Sequence, residues 1–285
     1  MTGFHEAPNT FVGEVVITVA DIDRSLAFYQ EIIGFKVLKK SEKKATLTAD
    51  GMTALLSIEQ PEDVSPKGRR TTGLYHFAIL LPDRRNLGSF IQHLIQKKHS
   101  IQGASDHLVS EALYMADPDG NGIEVYTDRP SSSWNWQEQE VEMTSEALDI
   151  QSILSESEGT EWNGLPSETR MGHIHLHVAE LAESANFYTK GLGFDIVNRY
   201  GGQALFLSSG KYHHHIGLNT WNGVGAPKPE NNSVGLKHFT LVIPSEEMFE
   251  KIISQLKDVS AEIIKNDGGI FTIDPSGNRI KLLVG

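Results

Sequence analysis

The chain has 285 residues, enough to bury one or two hydrophobic cores, and 25 Lys and Arg against 37 Asp and Glu give a net charge of −12. This charge repels nucleic-acid backbones and anionic membrane surfaces, and no segment reaches the roughly 18 apolar residues that span a bilayer, so neither is an expected partner. The absence of cysteine excludes disulfides and thiolate metal sites, and leaves 12 histidines, with Asp and Glu, as the strong metal ligands.

The N-terminal segment MTGFHEAPNT carries neither a basic run nor an apolar stretch of the signal-peptide kind, so we expect a cytoplasmic protein. The first predicted unit follows. It begins with an alternating strand, GEVVITVA, and a helix whose apolar residues Leu26, Tyr29 and Ile33 recur at helical spacing. Gly34 ends this helix, and KVLKK, KATLTA and MTALLSIE are typical of three further strands.

The same order of strand, helix and three strands recurs three more times. Residues 13–35 align without gaps with GHIHLHVAELAESANFYTKGLGF (172–194), and GLYHFAILLP (73–82) is repeated as GLKHFTLVIP (235–244). The second and fourth units close with related segments, DPDGNGIEVY (117–126) and DPSGNRIKLL (274–283). We therefore predict an α+β fold of four units, at residues 11–60, 72–128, 170–222 and 234–285.

The segment between the second and third units has the composition of a linker. From Ser131 to Thr169 it contains acidic residues and no Lys or Arg. We predict a short helix in ALDIQSILSE and expect three tryptophans to cover apolar surface: Trp134, Trp136 and Trp162. The sequence thus divides into a first domain at residues 1–130, an acidic linker at 131–169 and a second domain at 170–285.

Two groups of histidines stand out in the third unit. Alternating histidines share one face of its first strand, with apolar residues on the other face: His173, His175 and His177. Adjacent histidines in KYHHHIGLN are predicted to lie in its last strand, where at most two can face one cavity: His213, His214 and His215. Any one of these histidines taken alone could be a core residue.

Correspondence between the units narrows the choice of ligands. The equivalent position of each first strand is occupied in turn by Glu14, His76, His173 and His238. After the DP-x-GN turn, the second unit has Glu124 where the fourth has Lys281, and a protonated lysine is a poor ligand. Only His76, Glu124 and His173 therefore combine two imidazoles with a carboxylate, the ligand set of non-haem Fe(II) sites that bind substrate and O2 together.

These motifs resemble the vicinal oxygen chelate superfamily, which contains glyoxalases, bleomycin resistance proteins and extradiol dioxygenases. The GH-x-x-L-x-V first strand, the FY-x-x-x-LGF helix end and the DP-x-GN-x-x-E turn carry the resemblance over nearly the whole chain. It implies four βαβββ modules that form two cup-shaped sheets. The stretch DHLVSEALYMADPDGNGIE is similar to two-domain catechol 2,3-dioxygenases in particular.

The resemblance also implies roles for individual residues. His107 would assist substrate binding, Tyr114 would hydrogen-bond a substrate oxygen, and Glu124 would bind the metal. The family's acid-base histidine corresponds to His214, with His215 as the alternative.

One departure from the family pattern changes the expected pairing of the units. In the familiar two-domain enzymes the ligands come from units three and four, but here unit four lacks the glutamate. We therefore infer that units two and three form the metal-binding cup and units one and four the other. In that second cup we hypothesise that Glu14 pairs with Lys281, and whether His238 belongs to a second site is left open.

The resemblance implies a metal-dependent extradiol dioxygenase of aromatic hydrocarbon catabolism, which opens a catechol-type aromatic diol with O2. The expected cofactor is Fe(II), with Mn(II) or another divalent metal as alternatives, and the oligomeric state is left open, a homo-oligomer included. The alternative functions are a glyoxalase-type isomerase or lyase, a metal-free small-molecule binding protein of the same fold, and a thiol transferase, which usually has only two units per chain.

Overall fold

The computed structural model describes residues 3–285 and contains the four predicted units in chain order. The first unit contains β1 (Phe11–Thr18), α1 (Ile22–Phe28), β2 (Lys36–Lys40), β3 (Lys44–Thr48) and β4 (Leu56–Glu59). The second contains β5 (Gly73–Leu80), α2 (Arg84–Lys97), β6 (Gly103–Asp106), β7 (Ser110–Ala116) and β8 (Gly122–Asp128).

The connecting segment and the second half of the chain follow. The segment contains β9 (Trp136–Gln137), β10 (Glu140–Val141) and α3 (Ile150–Glu156). The third unit contains β11 (Arg170–His177), α4 (Leu181–Asn186), β12 (Asp195–Tyr200), β13 (Ala204–Ser208) and β14 (Ile216–Asn219). The fourth contains β15 (Gly235–Ile243), α5 (Glu246–Asp258), β16 (Ile263–Asn266), β17 (Gly269–Ile273) and β18 (Arg279–Val284).

The helix ends follow from local sequence. Asp83 caps α2 by accepting from the backbone N–H of Asn86, and Ser245 caps α5 by accepting from that of Met248. Helix α1 continues into a π-helical turn that ends at Gly34, whose φ of 93° lies in the left-handed region that glycine adopts without strain.

The strands form two large sheets, each built from two units. One sheet has the order β16-β17-β18-β15-β1-β4-β3-β2 and joins units four and one; the other has the order β12-β13-β14-β11-β5-β8-β7-β6 and joins units three and two. Antiparallel pairing of β1 with β15, and of β5 with β11, holds each sheet together at its centre. The predicted α+β fold of βαβββ modules in two cups is confirmed, as is the inferred pairing of units.

Both sheets are thus built from strands on either side of the 131–169 segment. The division of the chain into domains at residues 1–130 and 170–285 is a prediction from the sequence repeats and stays a prediction.

The two DP-x-GN turns make the same structural contacts in both copies. Asp117 accepts from the backbone and side-chain N–H groups of Asn121, and the Tyr29 hydroxyl of the first unit donates to it at 2.9 Å. Asp274 is held in the same way by Asn278, and the Tyr188 hydroxyl donates to it at 3.1 Å. The repeated turn therefore links the units of different sheets, and its presence alone says nothing about metal binding.

The 131–169 segment packs against the rest of the protein. Trp134 is buried in a small cluster with Val109, Val141, Val197 and Tyr212. The predicted helix is present as α3, and farther along the Trp162 ring lies 5.0 Å from that of Phe90. The expectation that Trp134 and Trp162 cover apolar surface is confirmed, and Trp136 packs partly buried against the small cluster.

A single large core lies between the sheets and their helices. It contains buried residues from both sheets, including Ile17 and Phe239 of one and Phe77 and Ile174 of the other. Within residues 3–285, no helix has the length and apolar character needed to cross a membrane.

Candidate metal centre

Two imidazoles and a carboxylate converge on the concave face of the sheet formed by units two and three. Nε2 of His76 lies 3.0 Å from Oε2 of Glu124, and Nε2 of His173 lies 3.2 Å from the same oxygen. One ligand atom from each of the three residues lies within 4.8 Å of the other two. All three side chains are buried.

The strand register explains this convergence. His76 on β5 pairs with His175 on β11, so that His173 is two residues further along the same face. Parallel pairing of β5 with β8 sets Ala78 beside Glu124, and the small side chain of Ala78 leaves space over the sheet. The intervening residues Phe77 and Ile174 point to the opposite face and belong to the core.

The electrostatics of the site favour the protonation states in which its side chains can bind a metal. Burial alone would raise the pKa of Glu124, but the imidazoles of His173 and His76 outweigh burial and lower it well below its usual value. Burial lowers the pKa of His173 to about 4. At neutral pH the carboxylate is therefore ionised and the His173 imidazole is neutral, as metal coordination requires.

The donor set fits a divalent transition metal. Although His76 Nε2 is close to Glu124, it has no partner in hydrogen-bonding geometry, and it is buried. An unpartnered buried nitrogen aimed at a carboxylate and a second imidazole is costly without a ligand. Two histidines and one carboxylate with open positions suit Fe(II) or Mn(II), so the residues fit the metal that the sequence predicts.

A cavity of about 460 Å³ adjoins two of the three side chains, those of His76 and Glu124. Beside His76 and Glu124, its polar walls include His107, Tyr114 and His214. The remaining residues of the wall are Tyr75, Ser105, Val109, Ser110, Met143, Thr144, Ser145, His175, Asn198, Tyr200, Phe206 and Trp221.

His107 and Tyr114 form one hydrogen-bonded unit in this cavity. Nδ1 of His107 lies 2.5 Å from the carbonyl oxygen of Thr144, which can only accept, so this nitrogen donates. In the neutral imidazole the other ring nitrogen is then an acceptor, and the Tyr114 hydroxyl, 2.6 Å away, donates a hydrogen bond to it. The phenolic oxygen of Tyr114 consequently has lone pairs free to accept from a ligand in the cavity.

The three adjacent histidines lie before the last strand of the third unit and not within it, which corrects the predicted strand. Strand β14 begins at Ile216, because the chain turns through residues 211–215 to bring their side chains into contact with other segments. His214 lines the cavity with its ring 4.0 Å from that of His173, whereas His215 contacts the carbonyl of Phe4 at 2.9 Å. Of the two acid-base candidates, His214 is the one that faces the cavity.

Sequence reasoning missed part of this wall. Met143, Thr144 and Ser145 belong to the segment predicted to be a linker, and no local periodicity indicates that they close a cavity. His175 is buried with an unpartnered Nε2, and the sequence indicates only that it shares a strand face with its alternating neighbours. Strand alternation from His173 was the available signal.

The equivalent positions of the other sheet do not form such a cluster. Glu14 accepts a hydrogen bond from Ser57 at 2.6 Å, and the ion pairs of residues 3–285 do not include Glu14 with Lys281, so that predicted pair is wrong. The hydroxyl of Ser57, on neighbouring β4, supplies the partner that Lys281 was expected to provide. The His238 ring packs edge-on against Phe271, and burial lowers its pKa to about 4. Among residues 3–285, the three side chains that could hold a metal together are those on the sheet formed by units two and three.

Comparisons with known proteins bear on both sheets. Residues 12–125 and 170–282 match the family model described as the Glyoxalase/Bleomycin resistance protein/Dioxygenase superfamily. Over the full length of both chains, the sequence is 46% identical to a catechol-2,3-dioxygenase of Bacillus subtilis strain 168.

Two solved structures superpose over most of the chain. A Bacillus subtilis protein assigned as a dioxygenase has a TM-score of 0.68 at 10% identity, over 96% of this chain and 84% of its own. Glyoxalase I of Zea mays has a TM-score of 0.59 at 17% identity, over 96% of this chain and 92% of its own. At such low identity the two likenesses establish the fold alone.

Proposed function

Because the chain belongs to the glyoxalase/bleomycin resistance protein/dioxygenase superfamily, we propose that it is a metal-dependent extradiol dioxygenase that opens a catechol-type aromatic diol with O2. The observation that carries this proposal is the convergence of His76, Glu124 and His173, the first two of which line a cavity. The full-length identity to a catechol-2,3-dioxygenase supports the reaction class. We propose Fe(II) as the metal, with Mn(II) as the alternative that the same ligands suit.

A divalent metal held by these three residues would bring a catechol and O2 together in fixed geometry and acidify the phenolic hydroxyl. The chain's own residues orient the ring. Tyr114, whose proton is committed to His107, accepts from a catechol hydroxyl. His214, on the side of His173, exchanges a proton with the substrate. The three metal-ligand candidates and His214 are buried, and the exclusion of water from these groups strengthens their interactions.

The cavity walls also suggest the substrate class. Phe206, Trp221, Val109 and Met143 supply apolar contacts for an aromatic ring, and none of the residues that line the cavity is Lys or Arg. A carboxylated ring would bury its charge without a cationic partner, which is costly. We therefore propose an uncharged catechol, unsubstituted or alkyl-substituted, as the substrate, consistent with aromatic hydrocarbon catabolism.

The main alternative, a glyoxalase-type isomerase or lyase, has less support. The metal cluster contains one carboxylate, and no second carboxylate joins it among the residues that the structure describes. Asn219 on β14 is not acidic and is committed to His177 through a 2.7 Å contact between its Oδ1 and the imidazole Nδ1.

The proposal is tested by loading purified protein with Fe(II) under argon, adding catechol and admitting air-saturated buffer. We expect O2 uptake equimolar with the formation of a yellow ring-opened semialdehyde. Metal binding without O2 uptake, combined with turnover of a hemithioacetal, would support the isomerase instead. Retention of catechol without metal would support a binding protein, and either result would overturn the proposed reaction.

A further inference from the structure

A chain of hydrogen bonds runs from the cavity through a buried histidine to a residue that lines a second cavity. Nδ1 of His214 lies 2.8 Å from Nδ1 of His213, and Nε2 of His213 lies 2.8 Å from Oδ1 of Asp128. Asp128 lines a separate cavity of about 460 Å³ next to Phe4 and Trp134. His213 is fully buried, and the role proposed for His214 does not by itself explain this arrangement.

When both imidazoles are neutral, the chemistry of the three groups fixes the direction of every bond in this chain. A carboxylate only accepts, so His213 must donate from Nε2 to Asp128. In a neutral imidazole the other nitrogen then carries no proton, and Nδ1 of His213 is an acceptor. The contact between the two Nδ1 atoms therefore requires His214 to donate. Its Nδ1 carries the proton and its Nε2 does not.

The remaining nitrogen of His214 is oriented for the substrate. No described residue hydrogen-bonds to Nε2 of His214, and the ring lines the main cavity beside His173. We propose that Asp128 and His213 are positioning residues that hold His214 in the Nδ1–H tautomer, with the lone pair of Nε2 directed at the substrate. His214 thus meets a catechol hydroxyl as a proton acceptor. The catalytic meaning of this assignment rests on the proposed function, whereas the tautomer itself does not.

The surroundings of Asp128 support its role as an acceptor. The Tyr212 hydroxyl donates to the same Oδ1 at 3.1 Å, and Tyr126 lies 2.6 Å from that hydroxyl. The cation next to Asp128 in the sequence, Arg129, is committed elsewhere, to Asp106 and Glu111. His213 is thus the imidazole that contacts Asp128, and both contacts to Oδ1 come from groups able to donate.

Long-range proton–nitrogen correlation spectra of ¹⁵N-histidine-labelled protein test the tautomer directly. They are recorded on metal-free protein and on protein loaded with Zn(II), which is diamagnetic, and a His214→Gln variant assigns the signals. We expect His214 to show a protonated Nδ1 and an unprotonated Nε2. An Nε2–H tautomer, or a doubly protonated His213, would overturn the inference even if no variant of Asp128 folds.

Variants then connect the tautomer to turnover. Asp128→Asn offers His213 an amide donor, so we expect mixed tautomers of His214 and a decrease in kcat of about 10–100-fold, with KM and bound metal little changed. Asp128→Glu should recover part of the loss. Tyr212→Phe is the matched control, because it removes the other donor to the same oxygen; it should leave the tautomer as in wild type.

The two proposals fail in different ways. Wild-type protein that shows the Nδ1–H tautomer but consumes no O2 would overturn the dioxygenase proposal and leave the assignment of Asp128 intact. An active wild-type enzyme with an Nε2–H tautomer of His214 would do the reverse. If Asp128→Asn and Tyr212→Phe lower kcat equally with no change in tautomer, Asp128 is only structural.

Discussion

Metal binding should stabilise the protein only through the site on the sheet of units two and three. The equivalent histidine of the other sheet provides the control. His76→Ala removes one of the three converging groups, while His238→Ala removes the histidine at the corresponding position of the other sheet. Both histidines occupy equivalent positions of central strands, His76 on β5 and His238 on β15. We expect His76→Ala to lose the thermal stabilisation by metal and His238→Ala to retain it.

The size of the effect follows from linkage. Free metal at 100 times its Kd stabilises the folded state by about 2.7 kcal/mol. One core joins the two sheets, so we treat the 285 residues as one unfolding unit, with an unfolding entropy of about 0.6 kcal/mol/K. The expected rise in Tm is about 4–5 °C. If His76→Ala weakens binding about 100-fold, only about 0.4 kcal/mol remains, a shift below about 1 °C.

The assay is differential scanning fluorimetry under argon, with and without Fe(II) or Mn(II), alongside elemental analysis of the bound metal. Each variant is compared with its own metal-free form, so that any intrinsic destabilisation cancels. An undiminished shift in His76→Ala, or an equal loss in His238→Ala, would refute the location of the site.

Three further outcomes are expected. Gly172→Ala should destabilise the fold by about 1–3 kcal/mol, because its Cβ would lie 1.9 Å from the Tyr126 hydroxyl, whereas Gly103→Ala meets nothing within 4 Å; chemical denaturation compares them. The backbone N–H of Thr53 holds the pKa of Asp50 below its usual range, so its contribution is present above the unfolded pKa of about 3.9 and lost as pH falls. The stability difference between wild type and Asp50→Asn should accordingly shrink between pH 7 and pH 3, and a constant difference would contradict this. Catechol should be turned over with a higher kcat/KM than 3,4-dihydroxybenzoate, and equal values would contradict an uncharged specificity.

The repeated units could be predicted because their signals are local. Periodic apolar residues and the paired DP-x-GN turns locate strands and helices, and the exchange of Glu124 for Lys281 predicted which units pair. The convergence of His76 with His173 followed, since equivalent strands place equivalent positions on the same face. The metal-binding role of these residues stays a prediction.

Long-range contacts without periodicity could not be predicted. The turn that carries His213 and His214 resembles a strand in sequence, but contacts to Asp128 and Phe4 hold it outside the sheet. Acidic composition suggested a linker, yet Thr144 lines the cavity and its backbone carbonyl accepts from His107. A carbonyl is present at every position, so composition cannot reveal which one is used.

Units one and four share one sheet, and units two and three share the other, inner sheet. This pairing has a consequence for synthesis on the ribosome. Strand β1 must wait for β15, more than 200 residues later, so at about 5–20 residues per second it stays without its central neighbour for roughly 10–45 s. The inner sheet, complete once β14 has emerged, can form during that interval and offer its apolar surface as a template. Premature release of the nascent chain should therefore yield a half-finished protein with an exposed β1 edge, vulnerable to aggregation.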